Sequence, residues 1–334
     1  MRAWQVTRPA SVDQHPLELV ERPLPEPGPG QVRIRVTVCG VCRTDLHVTE
    51  GDLAVHRPQV TPGHEVVGVV EALGPGADRF ETGSRVGVAW LASTCGKCRF
   101  CRRGDENLCP KATFTGWDHD GGYAEALVAD ERYIYQLPDG LDDEQAAPLL
   151  CAGIIGYRAL SLTGLRPGGR LGLWGFGGSA HLIAQVARAQ GAELYVATRA
   201  AASRELARQL GAAWVGSGDQ RPPVPLDAAI LFAPAGELVP KSLASLDRGG
   251  VLVIAGIYLS DPPPLHYEDH LFFEKVVRST TANTRSDGEE LLRLAHRLGV
   301  RAMTTAYAFE EADRALADMA NDRLTGVAVL RVGA

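Results

Sequence analysis

Beyond about residue 150 the chain alternates short apolar runs with helical stretches, and that rhythm leaves few folds open. Residues 170–175 (RLGLWG) read as a buried strand and 179–190 as a helix, followed by apolar runs at 193–198, 228–233, 250–256 and 276–282. Strands that are apolar on both faces and separated by helices build a mostly parallel sheet. A doubly wound α/β domain is the expected result.

The first part of the chain has another period. Val32, Ile34, Val36 and Val38 alternate with Arg33, Arg35 and Thr37, the pattern of a half-buried strand. Similar runs at 66–71 and 85–90, divided by Gly- and Pro-containing turns, predict a compact, mostly β domain with long loops. The chain ends in a strand-like run at 327–332 that is expected to return to this domain. At 334 residues, two domains are also what core size allows. The Pro-rich stretches 22–29 and 262–264 are too short to act as flexible linkers, and there is no internal repeat.

The net charge of −6 is mild and spread along the chain, so neither nucleic acid nor an anionic membrane is an expected partner. The amino terminus shows no signal-peptide core and no span of about 20 apolar residues, which makes the cytoplasm the default location. A small molecule is the partner that fits.

Cys95, Cys98, Cys101 and Cys109 follow the spacing Cys-x2-Cys-x2-Cys-x7-Cys. Four soft thiolates fill a tetrahedral coordination sphere, leave no open position and suit a structural zinc that staples a loop. An iron–sulfur cluster is the rival, because Cys109 is followed by Pro110, but the seven-residue gap argues against it. Cys39, outside every cluster, reads as a small buried hydrophobe.

The segment from Cys42 through Thr44, Asp45 and His47, with Gly63-His64-Glu65 further on, places a thiol, imidazoles and proton-handling groups in two turns of the first domain. His64 alone suits a hydrogen-bonded core histidine as well as a ligand. In the second domain, Gly175-x-Gly177-x-x-Ala180, with Gly178 between, follows a strand and opens a helix. Its backbone amides can therefore cradle a pyrophosphate. After the next strand stand Thr198 and Arg199, where an acidic residue would grip an adenosine ribose. The missing carboxylate and the arginine favour NADP over NAD by a modest margin. The Pro-rich stretch 218–225 puts one crossover helix in doubt.

These motifs, together with Asp120-Gly-Gly-Tyr-Ala-Glu125, Leu150-Cys-Ala-Gly153 and Tyr157-Arg-Ala-Leu160, resemble the zinc-containing medium-chain alcohol dehydrogenase family over almost the full chain. The resemblance implies a GroES-like mostly-β catalytic domain at 1–150, with 285–334 returning to it, and a Rossmann domain at 151–284. It implies Cys42, His64 and Cys151 as ligands of a catalytic zinc with a fourth position left for substrate. Asp45 becomes the carboxylate that orients His64, and Glu65 the acid behind the metal. Thr44 takes the substrate proton and His47 passes it on, while Trp90 lines the substrate pocket. Arg43 and Arg285 become phosphate contacts.

The expected chemistry is reversible oxidation of primary or simple secondary alcohols to aldehydes or ketones, with two zinc ions per subunit and hydride passing to NAD(P). A polyol, threonine or formaldehyde dehydrogenase shares the scaffold. A noncatalytic zinc and nucleotide sensor is the wider alternative, disfavoured by the presence of Thr44 and His47. By the same resemblance the chain is expected to form a homodimer or homotetramer.

Overall fold

The computed structural model describes residues 1–324 and 326–333. The chain divides into two units, the first made of Met1–Cys151, Ala282–His296 and the stretch from Ala302 onward, the second of Ala152–Thr281 and Arg297–Arg301. Cys151 falls one residue beyond the expected boundary, and 297–301 belong to the second unit rather than to the returning tail.

In the first unit the strand Gln31–Val41 carries the expected alternation, with Val32, Ile34, Val36 and Val38 all buried. From Val38 the alternation stops and every residue through Val41 is buried, Cys39 completely. The strand therefore delivers Cys42 from inside the domain. It pairs antiparallel with Glu65–Leu73, with Ala126–Asp130 and with Val327–Arg331, so the carboxyl-terminal strand does close on the first unit. Thr304–Ala308 extends this sheet beyond Val327–Arg331, and Arg85–Val88 and Ile134–Gln136 extend it on the other side. The run 85–90 is interrupted: one strand ends at Val88, another spans Leu91–Ser93, and Trp90 lies in the break.

The second unit is a parallel sheet of six strands in the order Trp214–Gly216, Glu193–Ala197, Arg170–Trp174, Leu226–Leu231, Leu246–Ile254 and Val276–Ser279. Leu171, Leu173, Val196, Ile230 and Leu252 are wholly buried, as continuous apolar runs require. The helix Gly178–Ala189 buries Ala180, Leu182, Ile183 and Val186. One strand escaped the sequence reading and one expectation needs correction. Trp214–Gly216 is a strand too short to announce itself by periodicity. Val276–Ser279 was expected to be buried, yet all four of its residues are exposed, because it is the outer strand of the sheet. Between Gly216 and Leu226 there is no helix among the described residues, since Pro222, Pro223 and Pro225 each remove a backbone donor.

Candidate active site

Cys42 caps the helix Arg43–Glu50, and Asp45 in its first turn accepts the Cys42 backbone N–H through Oδ2 at 2.9 Å. The other oxygen, Oδ1, accepts the Gly63 N–H at 3.1 Å and holds His64 Nδ1 at 2.8 Å. One buried carboxylate thus locks the two loops together. Gly63 has φ +99°, and a Cβ there would come within 2.5 Å of the Tyr123 ring, so only glycine allows His64 to approach. Tyr123, which sequence reasoning quoted in a motif without a role, closes the group with its hydroxyl 3.4 Å from Asp45 Oδ2.

Cys151 reaches the same place from the end of the unit's first chain segment. It sits between the turn Ala147–Leu150 and the helix Ala152–Thr163. Leu149 and Leu150 are buried at 1% and 0% exposure, worth about 1.5–3 kcal/mol each in apolar burial, and they anchor that position.

The result is a cluster in which one ligand atom each of Cys42, His64, Glu65 and Cys151 lies within 4.8 Å of the others. Cys42 and Cys151 sulfurs stand 3.9 Å apart. Because Asp45 takes Nδ1–H, the lone pair of His64 is on Nε2, which is buried and has no hydrogen-bond partner. Such an orphan costs about 1–3 kcal/mol in a protein interior, and a divalent cation among these donors removes the cost. The charges agree. The hydrogen bond with Cys151 holds the Cys42 thiol well below its ordinary range, against burial, and the same bond pushes Cys151 well above it. Burial would lower His64, but the Asp45 carboxylate raises it well above the usual imidazole range. The donor set fits zinc.

Around the cluster, Thr44 Oγ lies 3.8 Å from Cys42 Sγ, and His47 Nδ1 pairs with Asp52 at 2.7 Å. Asp52 is a partner that sequence reasoning missed. The Trp90 ring meets the His64 ring edge to face at 4.9 Å between centroids.

The other four cysteines also converge, all within 4.8 Å. Sulfur separations of 3.5 Å for Cys95–Cys109, 3.5 Å for Cys98–Cys101 and 4.0 Å for Cys95–Cys101 bracket the edge of about 3.8 Å of a tetrahedron with metal–sulfur bonds of about 2.3 Å. They are too close to enclose a cluster of several irons. The backbone amides of Lys97 and Cys98 pull the Cys95 thiol down to about 6, whereas burial pushes Cys109 up to about 11.

Arg285, expected as a phosphate contact, grips Glu106 with Nε at 3.0 Å, Nη2 at 2.7 Å and its backbone N–H at 2.8 Å. Glu106 is buried in the cysteine loop, so this bidentate pair ties the loop to the start of the helix Arg285–Leu298. Arg43 pairs with exposed Asp322 at 2.6 Å.

In the second unit Gly175 has φ +86°, and a Cβ there would lie 2.8 Å from the Ala233 nitrogen. A Cβ at Gly177 would meet nothing within 4 Å. The tight turn thus needs Gly175, while Gly177 borders open space at the start of a helix opened by Gly178, where a pyrophosphate fits. Thr198 is buried, Arg199 is exposed, and no carboxylate stands at either position.

A Rossmann-type sheet and a buried thiol–imidazole cluster define an oxidoreductase. Comparison with known proteins narrows the class. Residues 28–139 match the family described as alcohol dehydrogenase GroES-like domain, and 178–297 match zinc-binding dehydrogenase. The "Probable alcohol dehydrogenase AdhA" of Mycobacterium tuberculosis (strain CDC 1551 / Oshkosh) is 56% identical, covering 99% of this chain and 97% of the relative. An alcohol dehydrogenase of Geobacillus stearothermophilus is 35% identical over 95% of this chain and 96% of the relative. A cobalt- and zinc-bound thermostable alcohol dehydrogenase from Pyrobaculum aerophilum superposes with a TM-score of 0.90 at 27% identity, covering 99% of each chain. The chain belongs to the zinc-type, medium-chain alcohol dehydrogenase family. Among the described residues no single helix is long and apolar enough to cross a membrane.

Proposed function

We propose that the protein oxidises primary or simple secondary alcohols to aldehydes or ketones, reversibly, with one zinc held by Cys42, His64 and Cys151, a second held by Cys95, Cys98, Cys101 and Cys109, and NADP favoured over NAD. The observation that carries the reading is the partnerless Nε2 of buried His64, facing two thiols. Zinc bound there supplies the Lewis acidity that lets a hydroxyl lose its proton near neutrality, and the nicotinamide accepts the hydride.

The chain's own residues do the rest. Asp45 fixes the His64 tautomer and orientation. In this reading Thr44, beside Cys42, receives the hydroxyl proton, and His47, held by Asp52, passes it outward. Glu65 stands in the ligand cluster as a further carboxylate. Gly175, Gly177 and Gly178 present backbone amides to the pyrophosphate, and Arg199 supplies a cation where the ribose 2′-phosphate of NADP requires one.

The test combines metal analysis with the absorbance of reduced nicotinamide on a panel of small alcohols. Two zinc ions per chain and turnover with zinc are expected. A chain that binds zinc and nucleotide yet oxidises no alcohol, polyol or threonine would be a sensor instead.

A homodimer or homotetramer is part of the same reading. It is supported by the outer strand Val276–Ser279, whose unpaired edge carries Val276 and Val277, next to exposed Phe272 and Phe273. Light scattering after size exclusion decides it, and a monomer at micromolar concentration would refute it.

A further inference from the structure

The glycine-rich turn of the second unit is followed at once by a histidine that the function proposed above leaves without a role. His181 stands near the start of the helix Gly178–Ala189 and is 1% exposed. Ala180, Leu182, Ile183 and Ala184 around it in sequence are buried apolar residues, so a polar ring here has to find a hydrogen bond. It finds one four residues back, where Nδ1 lies 3.0 Å from the Gly177 carbonyl oxygen. The His181 backbone N–H reaches the same oxygen at 3.1 Å. A carbonyl only accepts, so Nδ1 carries the hydrogen, and both lone pairs of that oxygen are engaged. Burial lowers the imidazole pKa against the opposing pull of the Gly177 and Gly178 backbone, which keeps the ring neutral near pH 7 with its proton on the nitrogen that the carbonyl holds.

The consequence lies on the other side of the same peptide. In a trans peptide the C=O and the N–H point in opposite directions within one rigid plane. Holding the Gly177 carbonyl toward the helix therefore aims the Gly178 N–H away from it, in a first turn that offers no acceptor of its own. Among the described residues Gly177, Gly178 and Ser179 donate their N–H groups to no protein atom. The two glycines do little to fix this plane themselves, since neither has a Cβ and one placed on Gly177 would meet nothing within 4 Å. Rotation of the plane would present a carbonyl oxygen where the N–H stood, and a phosphate is repelled by that end of the dipole. A single backbone bond at a fraying helix end resists this weakly. The imidazole doubles it.

We propose that His181 is a positioning residue for the dinucleotide: its Nδ1–H clamps the Gly177 carbonyl, and the amides that open the helix stay turned toward the pyrophosphate. This rests on the reading of the glycine-rich turn as the dinucleotide site and adds the side chain that holds the turn ready, so that less ordering is left to the moment of binding.

Two substitutions separate the clamp from simple packing. His181→Leu fills the space without a donor. His181→Gln keeps a donor of the right reach, because Gln185 in the same helix already donates its Nε2 to the carbonyl four residues before it, at 3.0 Å. On the zinc-replete full chain, His181→Leu is expected to weaken NADPH and ADP-ribose alike by about threefold to tenfold, the worth of one neutral hydrogen bond. Adenosine 2′-monophosphate has no pyrophosphate, and its affinity, read by competition, should stay within about twofold of wild type, with His181→Gln bringing the other two back to the same range.

Affinity for NADPH and ADP-ribose unchanged in a folded His181→Leu, all three ligands weakened alike, or a His181→Gln no better than leucine would each overturn the clamp. If His181→Leu fails to fold, imidazole nitrogen NMR of the wild type decides, with the resonance identified by its absence in His181→Gln. A neutral ring protonated at Nδ1 is expected, and one protonated at Nε2 would end the proposal. A chain that folds with neither substitution would make His181 architectural and end it too. A wild type that binds neither NADPH nor ADP-ribose would overturn the dinucleotide reading itself, a result distinct from wild-type binding that the substitutions leave untouched.

Discussion

Asp45 holds His64 Nδ1 at 2.8 Å, and neither side chain is more than 1% exposed. This one bond decides which imidazole nitrogen faces Cys42 and Cys151. Asp45→Asn removes the charge that makes Nε2 a strong donor, and zinc affinity at the Cys42–His64–Cys151 site is expected to fall about 10–100-fold. Competition with a chelating dye measures it, and an unchanged affinity would rule out the orienting role.

The two cysteine clusters are expected to fail differently. Cys42→Ala should leave a folded chain that still binds dinucleotide, with one zinc fewer and no turnover, because an open site contributes to chemistry more than to architecture. Cys98→Ala should lose thermal stability first, since a closed tetrathiolate site missing one ligand no longer staples its loop. Zinc counts and melting curves separate the two, and full activity in Cys42→Ala would sink the assignment.

Glu106→Gln tests the ion pair that binds the cysteine loop to Arg285. Hydrogen bonds between charged groups contribute about 1.5–3 kcal/mol. Arg285 is 41% exposed, so water recovers part of that, and a loss of about 1 kcal/mol is the expected outcome in denaturant unfolding. Dinucleotide affinity should not change. A selective loss of nucleotide binding in this variant would restore Arg285 to the role of phosphate contact.

Gly175 and Gly177 should part company on mutation. Gly175→Ala forces a side chain into the left-handed region and against Ala233, at a cost of about 1–3 kcal/mol in stability. Gly177→Ala meets no protein atom, so its melting temperature should hold while affinity for either dinucleotide falls at least about tenfold, or 1.4 kcal/mol. Unchanged nucleotide binding in Gly177→Ala would place the pyrophosphate elsewhere.

Cofactor choice turns on the end of the strand Glu193–Ala197. Arg199→Ala should weaken NADP more than NAD, by less than the roughly 1.5–3 kcal/mol of a charge-assisted hydrogen bond because Arg199 is exposed. Thr198→Asp should move preference toward NAD by restoring an acceptor and repelling a 2′-phosphate. The measurement is kcat/KM with both cofactors, and a wild type preferring NAD by about tenfold or more, 1.4 kcal/mol, would end the NADP reading.

What the sequence by itself determined is what repeats or clusters over short spans. Alternating Val32, Ile34, Val36 and Val38 specify a strand with one buried face, and continuous apolar runs specify a parallel sheet, because periodicity reports which residues leave water. Four cysteines within fifteen positions, Cys95 to Cys109, announce a closed metal site, and Gly175-x-Gly177 after a strand announces a turn open to a phosphate. Cys151 was legible only through family resemblance, and tertiary structure decided its meeting with Cys42 across 109 residues. The same holds for Arg285, paired with Glu106 from 179 residues away, and for the rings of His56, Trp90, Phe114 and Trp117 stacked against one another. The exposed outer strand Val276–Ser279 reads as core in sequence, because apolar character shows what a residue can bury but not what lies beside it. Such contacts depend on the path of the whole chain, which local pattern does not encode.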